Sequence, residues 1–523
     1  MENLITFKFL CMIFLSFCFC FILRRRFRTR SFSKPHTINL PPSPPGLPII
    51  GHLHLLTDMP HHSFAQLAHK LGPIFYVRLG RIPTVVISSP ELAELVLKTH
   101  DHIFANRPQL VSAKYLSFNC SDITFSPYGP YWRQARKICM TELLSSKRVN
   151  SFRLVRNEEV NRTLRIVSDH ANSNSAIDTS DLFFRLANDI LCRVAFGKRF
   201  IRSDEEFGEK KKELELAGVL KETQALLAGF CWGDFFPEWE NWVNIITGTK
   251  KRLMKNLEDL RNVCDEIIDE HHLIMKMKKK REKDDDERED FVDVLLRVQR
   301  KSDLEVAITD DNLKALVLDM FVAGTDTTAA TLEWAMTELA KHPKLMRKAQ
   351  NEVRQIKTPT TVEETDLRHL PYLVAIIKET LRLHPPVPLL VPRESMSKCA
   401  INGYDIPART RILINTFAIG RNAEYWKSPL EFNPDRFLDF KGQDFRFLPF
   451  GGGRRGCPGY SFGLATVEIS LARLLYHFDW SLPPGVETDG LDLSEVFGLA
   501  TRKKTALKLV PMVNLEHPFP SNV

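Results

Sequence analysis

The decapeptide Phe450-Gly-Gly-Gly-Arg-Arg-Gly-Cys-Pro-Gly459 constrains this chain more than any other segment. Five glycines in ten residues free the backbone to turn tightly and to approach a large ligand closely. Its one thiol, Cys457, follows two arginines, and adjacent cations lower a thiol pKa toward the thiolate that binds metals. An ordinary surface loop needs neither property. The expectation is a fold wrapped around a large bound group, with Cys457 as its metal ligand.

The chain is long enough to build such a fold. Its 523 residues, 44% hydrophobic, can bury a large core as one big domain or two. A net charge of +8 is modest for this length and partly local, which argues against a general nucleic-acid binder. The other nine cysteines form no C-x-x-C pair and no disulfide framework, as expected in a reducing compartment.

The amino terminus reads as a membrane anchor over residues 1–23. Residues 4–23 supply about 20 mostly apolar positions, the length of a bilayer span, with Lys8 near enough to one end to snorkel. Arg24, Arg25, Arg26, Arg28, Arg30 and Lys34 follow it. A cleaved signal peptide carries its charge before the apolar run, so this order predicts a single-pass anchor with the main body in the cytosol. The sequons at Asn119 and Asn161 then carry no glycan. Residues 24–48 form a basic, proline-rich linker ending in Leu40-Pro-Pro-Ser-Pro-Pro-Gly-Leu-Pro48, whose fixed φ angles make a semi-rigid spacer. Residues 49–523 are read as the catalytic domain.

That domain is expected to be mainly α with a small β lobe. Residues 74–79 and 84–88 read as paired strands, Asn402-Gly403 as a hairpin turn, and residues 410–415 as a following strand. Residues 276–290 are almost entirely charged and read as a solvated loop between helices. The most telling helix runs from about residue 312 to 341, capped by Thr309, Asp310 and Asp311 and stopped by His342-Pro343. Its middle, Gly324-Thr-Asp-Thr-Thr328, puts five poor helix formers in succession. Packing alone gives no reason for them, and the expectation is a ladder opened locally by hydroxyls and a carboxylate at a functional site.

Phe450, Gly453, Arg455, Cys457 and Gly459 fill the spacing Phe-x-x-Gly-x-Arg-x-Cys-x-Gly, which resembles the haem-thiolate signature of the cytochrome P450 family. Other motifs occur in that family's order: Trp132-Arg-Gln-Ala-Arg136, Ala323-Gly-Thr-Asp-Thr-Thr328, Glu379-Thr-Leu-Arg382 and Phe432-Asn-Pro-Asp-Arg-Phe437. Their exact forms look like the plant microsomal A-type group, and the resemblance runs from the anchor to about residue 510. Asp435 stands where many relatives carry Glu.

The resemblance implies the P450 fold, haem b with Cys457 as its axial ligand, and an acid–alcohol pair, Asp326 and Thr327, that delivers protons to dioxygen. It implies propionate contacts from Trp132, Arg136 and Arg393, tuning of the sulfur by Phe450 and the loop amides, and a structural triad of Glu379, Arg382 and Arg436. Electrons would come from NADPH through a reductase docked on basic residues such as Arg454 and Lys137, at the endoplasmic reticulum membrane. The pocket would draw on residues 115–125, Val322, Ala323, Val387, Leu390, Val391 and Leu499. These are mostly apolar, so a lipophilic plant metabolite is expected: a terpenoid first, an alkaloid or phenolic next. Residues 228–236 are expected to face the membrane and admit substrate. A haem-thiolate isomerase or lyase that does not use dioxygen, and a non-enzymatic haem carrier, are the competing readings; neither needs the intact Asp326–Thr327 pair.

Overall fold

The computed structural model describes residues 38–199, 218–220, 222–227, 231–278, 289–357, 361–440, 442 and 444–520. The expected anchor and residues 24–37 of the linker lie outside the described residues. Among the described residues no helix is long and apolar enough to cross a membrane.

Helices dominate, and a long one, Asp310–Lys341, runs through the core. Thr309 caps it: the Oγ1 accepts from the Asn312 amide at 3.2 Å, and the Thr309 amide donates back to Asn312 Oδ1 at 2.9 Å. Asp310 and Asp311 face the positive end of the dipole. At the far end Pro343 excludes helical geometry from His342, and a new helix, Pro343–Arg354, begins. The long helix is buried nearly all round, as a helix must be when elements pack on every face.

Its weak central segment departs from expectation in two ways. The helix is continuous, because Thr325 Oγ1 donates to the Phe321 carbonyl at 3.0 Å and Thr327 Oγ1 to the Ala323 carbonyl at 2.8 Å. These hydroxyls bond back along the ladder without opening it. Packing also accounts for Gly324. A Cβ there would lie 2.8 Å from Leu191 Cδ1 on the helix Thr179–Phe196, which packs along this face.

The β portion is small. A four-stranded sheet runs Ile74–Leu79, Ile82–Ile87, Arg411–Ile414, Arg393–Glu394, with the middle pair parallel and the outer pairs antiparallel. The expected second hairpin joins Cys399–Ile401 to Tyr404–Ile406, and its turn puts both Asn402 (φ 49°) and Gly403 (φ 80°) at positive φ. The charged run at 276–290 is only partly described, and its end is not solvated. Asp290 is buried, accepts from the Asp293 amide at 2.9 Å to cap Phe291–Gln299, and meets His271 Nε2 at 2.8 Å.

Candidate active site

One cavity of about 350 Å³ lies between the long helix, the cysteine loop and the tip of the hairpin Glu495–Val496/Arg502–Lys503. Cys457, Asp326 and Thr327 all line it. So do Val322, Ala323, Val387, Leu390, Val391 and Leu499. The loop that presents the sulfur is tied by its own backbone: the Cys457 amide donates to the Phe450 carbonyl at 2.9 Å, and Gly456 to Gly453 at 3.0 Å. The helix Tyr460–His477 starts immediately beyond it. Cys457 has free surface, and that surface belongs to the cavity.

The loop's arginines do not act on the sulfur as their sequence position suggests. Arg454 turns outward to Asp101 at 3.0 Å, so this reductase-docking candidate is already an ion-pair partner. Arg455 turns inward, with Nε on the Ala105 carbonyl (2.7 Å), Nη1 on Ile123 (3.0 Å) and Nη2 on Ser126 (2.6 Å). Burial pushes the Cys457 thiol pKa up, opposed by the Gly459 amide and the charge of Arg136 on another helix, Pro130–Ile138. The close approach made by Gly453, at φ 64°, is to protein: a Cβ would lie 2.1 Å from the Leu97 carbonyl oxygen and 2.6 Å from Asp101 Oδ1.

Beside the sulfur four arginines line the cavity: Arg107, Arg136, Arg393 and Arg455. Arg136 Nη2 reaches the Gly456 carbonyl at 2.7 Å, and Arg393 bonds Asp101 at 2.8 Å and the Gly452 carbonyl at 2.6 Å. Arg107 bonds the carbonyls of Thr124, Val391 and Pro392 at 2.9, 2.6 and 2.8 Å. Burial, then the charge of Arg393, pushes Arg455 down to about 9; burial lowers the other three as well. Trp132 gives its indole N–H to the Ile123 carbonyl at 3.0 Å, and its ring lies 4.1 Å beneath the Arg455 guanidinium. Cations bonded mainly to neutral carbonyls keep positive charge that an anionic group in the cavity can match.

On the long helix, burial raises the Asp326 carboxyl above its usual range, opposed by Arg502 at 3.5 Å. Two acids, the buried Asp122 and the partly buried Asp319, also border the cavity. Asp319 accepts from the amides of Ile123 and Thr124 and from Thr124 Oγ1, tying the segment before Pro130–Ile138 to the long helix. Burial raises both carboxyls, and at Asp122 the charge of Asp319 adds to it.

A family model for cytochrome P450 matches residues 41–508. The chain belongs to the cytochrome P450 family. It is 54% identical over 508 residues to tryptamine 5-hydroxylase of Oryza sativa subsp. japonica, covering 95% of this chain and 94% of that one. It is 49% identical to cytochrome P450 71A1 of Persea americana, covering 88% and 91%. Premnaspirodiene oxygenase of Hyoscyamus muticus is 43% identical, covering 95% and 97%. A solved zebra fish cytochrome P450 with progesterone superposes with a TM-score of 0.73 at 26% identity, covering 87% of this chain and 99% of that one. This P450 is thus a plant A-type monooxygenase, which uses haem b, dioxygen and NADPH electrons supplied by a reductase.

The residues present fit haem. The arginine cluster offers two propionates charge-assisted bonds in exchange for carbonyl contacts, and Cys457 faces the same cavity. Arg107 went unrecognised in the sequence, where it is one arginine before a proline in Phe104-Ala-Asn-Arg-Pro108. Glu379, Arg382 and Arg436 meet behind the cavity: Arg382 forks onto Glu379 with both contacts at 2.7 Å, and Arg436 Nε lies 3.0 Å from Glu379 Oε1. Arg382 also holds the carbonyls of Gly420, Pro429 and Glu431, which lead into the segment carrying the cysteine loop.

Proposed function

We propose that this P450 is anchored in the endoplasmic reticulum membrane by residues 1–23, joined by the linker 24–48 to the cytosolic domain 49–523, and ring-hydroxylates a small aromatic amine. The observation that carries the oxidative reading is that Cys457 and the Asp326–Thr327 pair line one cavity. Haem bound through a cysteine thiolate activates dioxygen and favours O–O cleavage. Cys457 would supply that thiolate, steadied by the Gly459 amide and screened by Phe450. Arg107, Arg136, Arg393 and Arg455, with Trp132 beneath, would hold the propionates. Gly453 shapes the loop that presents the sulfur.

Asp326 and Thr327 would manage protons. Burial favours the protonated form of the Asp326 carboxyl, which suits it to hold a proton for transfer. Arg502, whose side chain is 41% exposed, marks the route from Asp326 to solvent. The Thr327 hydroxyl borders the cavity and would pass the proton onward. A Thr327→Ala variant should keep its rate of NADPH oxidation within about threefold yet divert most of it to peroxide, a loss of general-acid assistance of order 10²-fold in product. Product per NADPH at the wild-type ratio would remove Thr327 from the mechanism.

Two things support an aromatic amine over the terpenoid expected from the apolar motif residues. The relative at 54% identity is named a tryptamine 5-hydroxylase, and the cavity lining includes the aromatic rings of Phe125 and Phe497. The terpenoid reading keeps the support of premnaspirodiene oxygenase at 43% identity. Titrating the haem-loaded protein with tryptamine should give a saturable low-to-high-spin shift and, with reductase and NADPH, a hydroxylated product. A shift and product with a sesquiterpene hydrocarbon and none with tryptamine would reverse the choice.

Exposed residues of the segment Trp232–Ile246 support the membrane reading, whereas in the described part of the expected loop 228–236 Trp232 alone is exposed and Cys231, Asp234, Phe235 and Phe236 are buried against the protein. Trp242 is 72% exposed and Ile246 80%, with Trp232, Trp239 and Ile245 also exposed. Trp at such a patch suits the headgroup region of a bilayer. In full-length protein reconstituted in nanodiscs, brominated lipid should quench tryptophan emission, and Trp242→Phe should remove part of that quenching. Equal quenching in both proteins would place the patch off the membrane.

A further inference from the structure

The cavity's third wall is the tip of a hairpin, and its anchor lies outside the catalytic machinery. Strands Glu495–Val496 and Arg502–Lys503 pair antiparallel, and Phe497, Gly498 and Leu499 between them line the cavity. The second strand carries Arg502, the partner of Asp326. A two-residue strand pair has little stability by itself. Something else must fix the tip.

The Glu495 side chain does this. One oxygen, Oε2, meets His61 Nε2 at 3.2 Å and His62 Nε2 at 3.3 Å; the other, Oε1, lies 3.6 Å from His384 Nδ1. These partners belong to separate elements. His61 and His62 open the helix Pro60–Leu71, and His384 ends Pro371–Leu383. His384 in turn bonds Glu338 of the long helix at 2.7 Å and stacks on Trp334 at 3.8 Å with the rings 3° apart. Glu495 is 8% exposed, His384 7% and His61 fully buried. Burial pushes the Glu495 carboxyl up, but the ion-pair contact of His384, whose Nδ1 lies too far for a hydrogen bond, and the hydrogen bonds of His61 and His62 outweigh it and hold the carboxyl below its usual range. His61 is lowered by burial, so its neutral ring donates from Nε2, and its buried Nδ1 has no hydrogen-bond partner. The His61 ring also stacks against Phe497 at 5.9 Å.

We infer that Glu495 is a positioning residue for the oxidation site: its carboxylate, clamped by His61, His62 and His384, fixes the Phe497–Leu499 wall that ligands in the cavity meet. The inference rests on the haem-monooxygenase reading but not on any choice of substrate. Breaking the clamp frees the wall while leaving Cys457, the arginine cluster and Asp326 in place.

The test uses haem-loaded full-length protein and two nitrogen ligands of different reach, imidazole and 4-phenylimidazole. In Glu495→Ala the Kd of 4-phenylimidazole should rise about tenfold, ~1.4 kcal/mol, while that of imidazole, too short to touch the wall, stays within about twofold, ~0.4 kcal/mol. His62→Ala, at the exposed edge of the clamp, should shift the same ligand in the same direction by less, and Glu495→Gln should recover part of the loss. Equal changes for both ligands would mean a general structural defect and overturn the inference, as would no change for either. If Glu495→Ala binds no haem, His62→Ala carries the decision alone: a shift confined to 4-phenylimidazole supports the clamp, and none rejects it. Failure of the haem-binding part of that reading looks different, since the wild type would then show no ligand spectrum at all, and failure of its monooxygenase part would leave both ligand spectra in place with no product from NADPH and reductase.

Discussion

Replacing Cys457 with serine should abolish the red-shifted carbon monoxide band of the reduced protein and reduce oxidation to background. Serine nearly matches cysteine in size, and the backbone bonds that shape the loop, from Cys457 to Phe450 and Gly456 to Gly453, do not involve the side chain. The fold should therefore survive, and the effect is one of ligand chemistry. Burial raises the thiol pKa against the pull of the Gly459 amide and Arg136. A bound cation reverses that balance, because a coordinating thiol gives up its proton outright. A serine hydroxyl starts several pKa units higher, and the same weak helpers cannot make it a thiolate-like donor. The Cys457→Ser protein should keep its far-ultraviolet circular dichroism and lose the band. A band retained at its wild-type position would mean that another group ligates the iron.

The sequence made the sulfur legible but not the machinery that surrounds it. Gly-Gly-Gly-Arg-Arg-Gly-Cys advertises a tight loop, yet proximity along the chain misassigned its cations. Arg454 and Arg455 are pulled away by Asp101 and by carbonyls near Ile123, and it is Arg136, more than 300 residues earlier, that faces the sulfur. Arg107 and Arg502 were invisible for the same reason. Arg107 is a lone cation in a loop and Arg502 one of three consecutive cations, and the meaning of each comes only from partners such as Val391 and Asp326 that the fold brings to it. Elements governed by local chemistry fared better. The Thr309 cap, the Pro343 stop and the Asn402-Gly403 turn are decided within a few residues, so the sequence contained the answer. Gly324 falls between these cases. Its helix-weakening cost is local and visible, whereas the Leu191 side chain that requires it belongs to another helix.

Glu379→Gln should destabilise the protein by about 3–5 kcal/mol, the cost of leaving a buried charge without its partner. That is a large part of the 5–15 kcal/mol, roughly, by which folded domains exceed their unfolded chains. Glu379 and Arg382 have no exposed side-chain surface, and the carboxylate also accepts from the Asn433 amide at 2.8 Å and from Arg436. Glutamine keeps the shape and one acceptor but presents two N–H groups where Arg382 and Arg436 present theirs. The guanidinium of Arg382 would then hold the Gly420, Pro429 and Glu431 carbonyls as an unpaired buried cation, and the segment leading to Cys457 would loosen. Arg436→Lys should cost less, about 1–2 kcal/mol, because Arg436 is partly exposed and shares its fork among the Lys427, Ser428 and Glu431 carbonyls. Urea titration followed by the haem band gives both values. In a Glu379→Leu, Arg382→Met double variant the total cost should fall below the sum of the single changes, since neither charge is left alone. Strict additivity, or a Glu379→Gln cost under about 1 kcal/mol, would mean that these residues contribute no more than a surface pair.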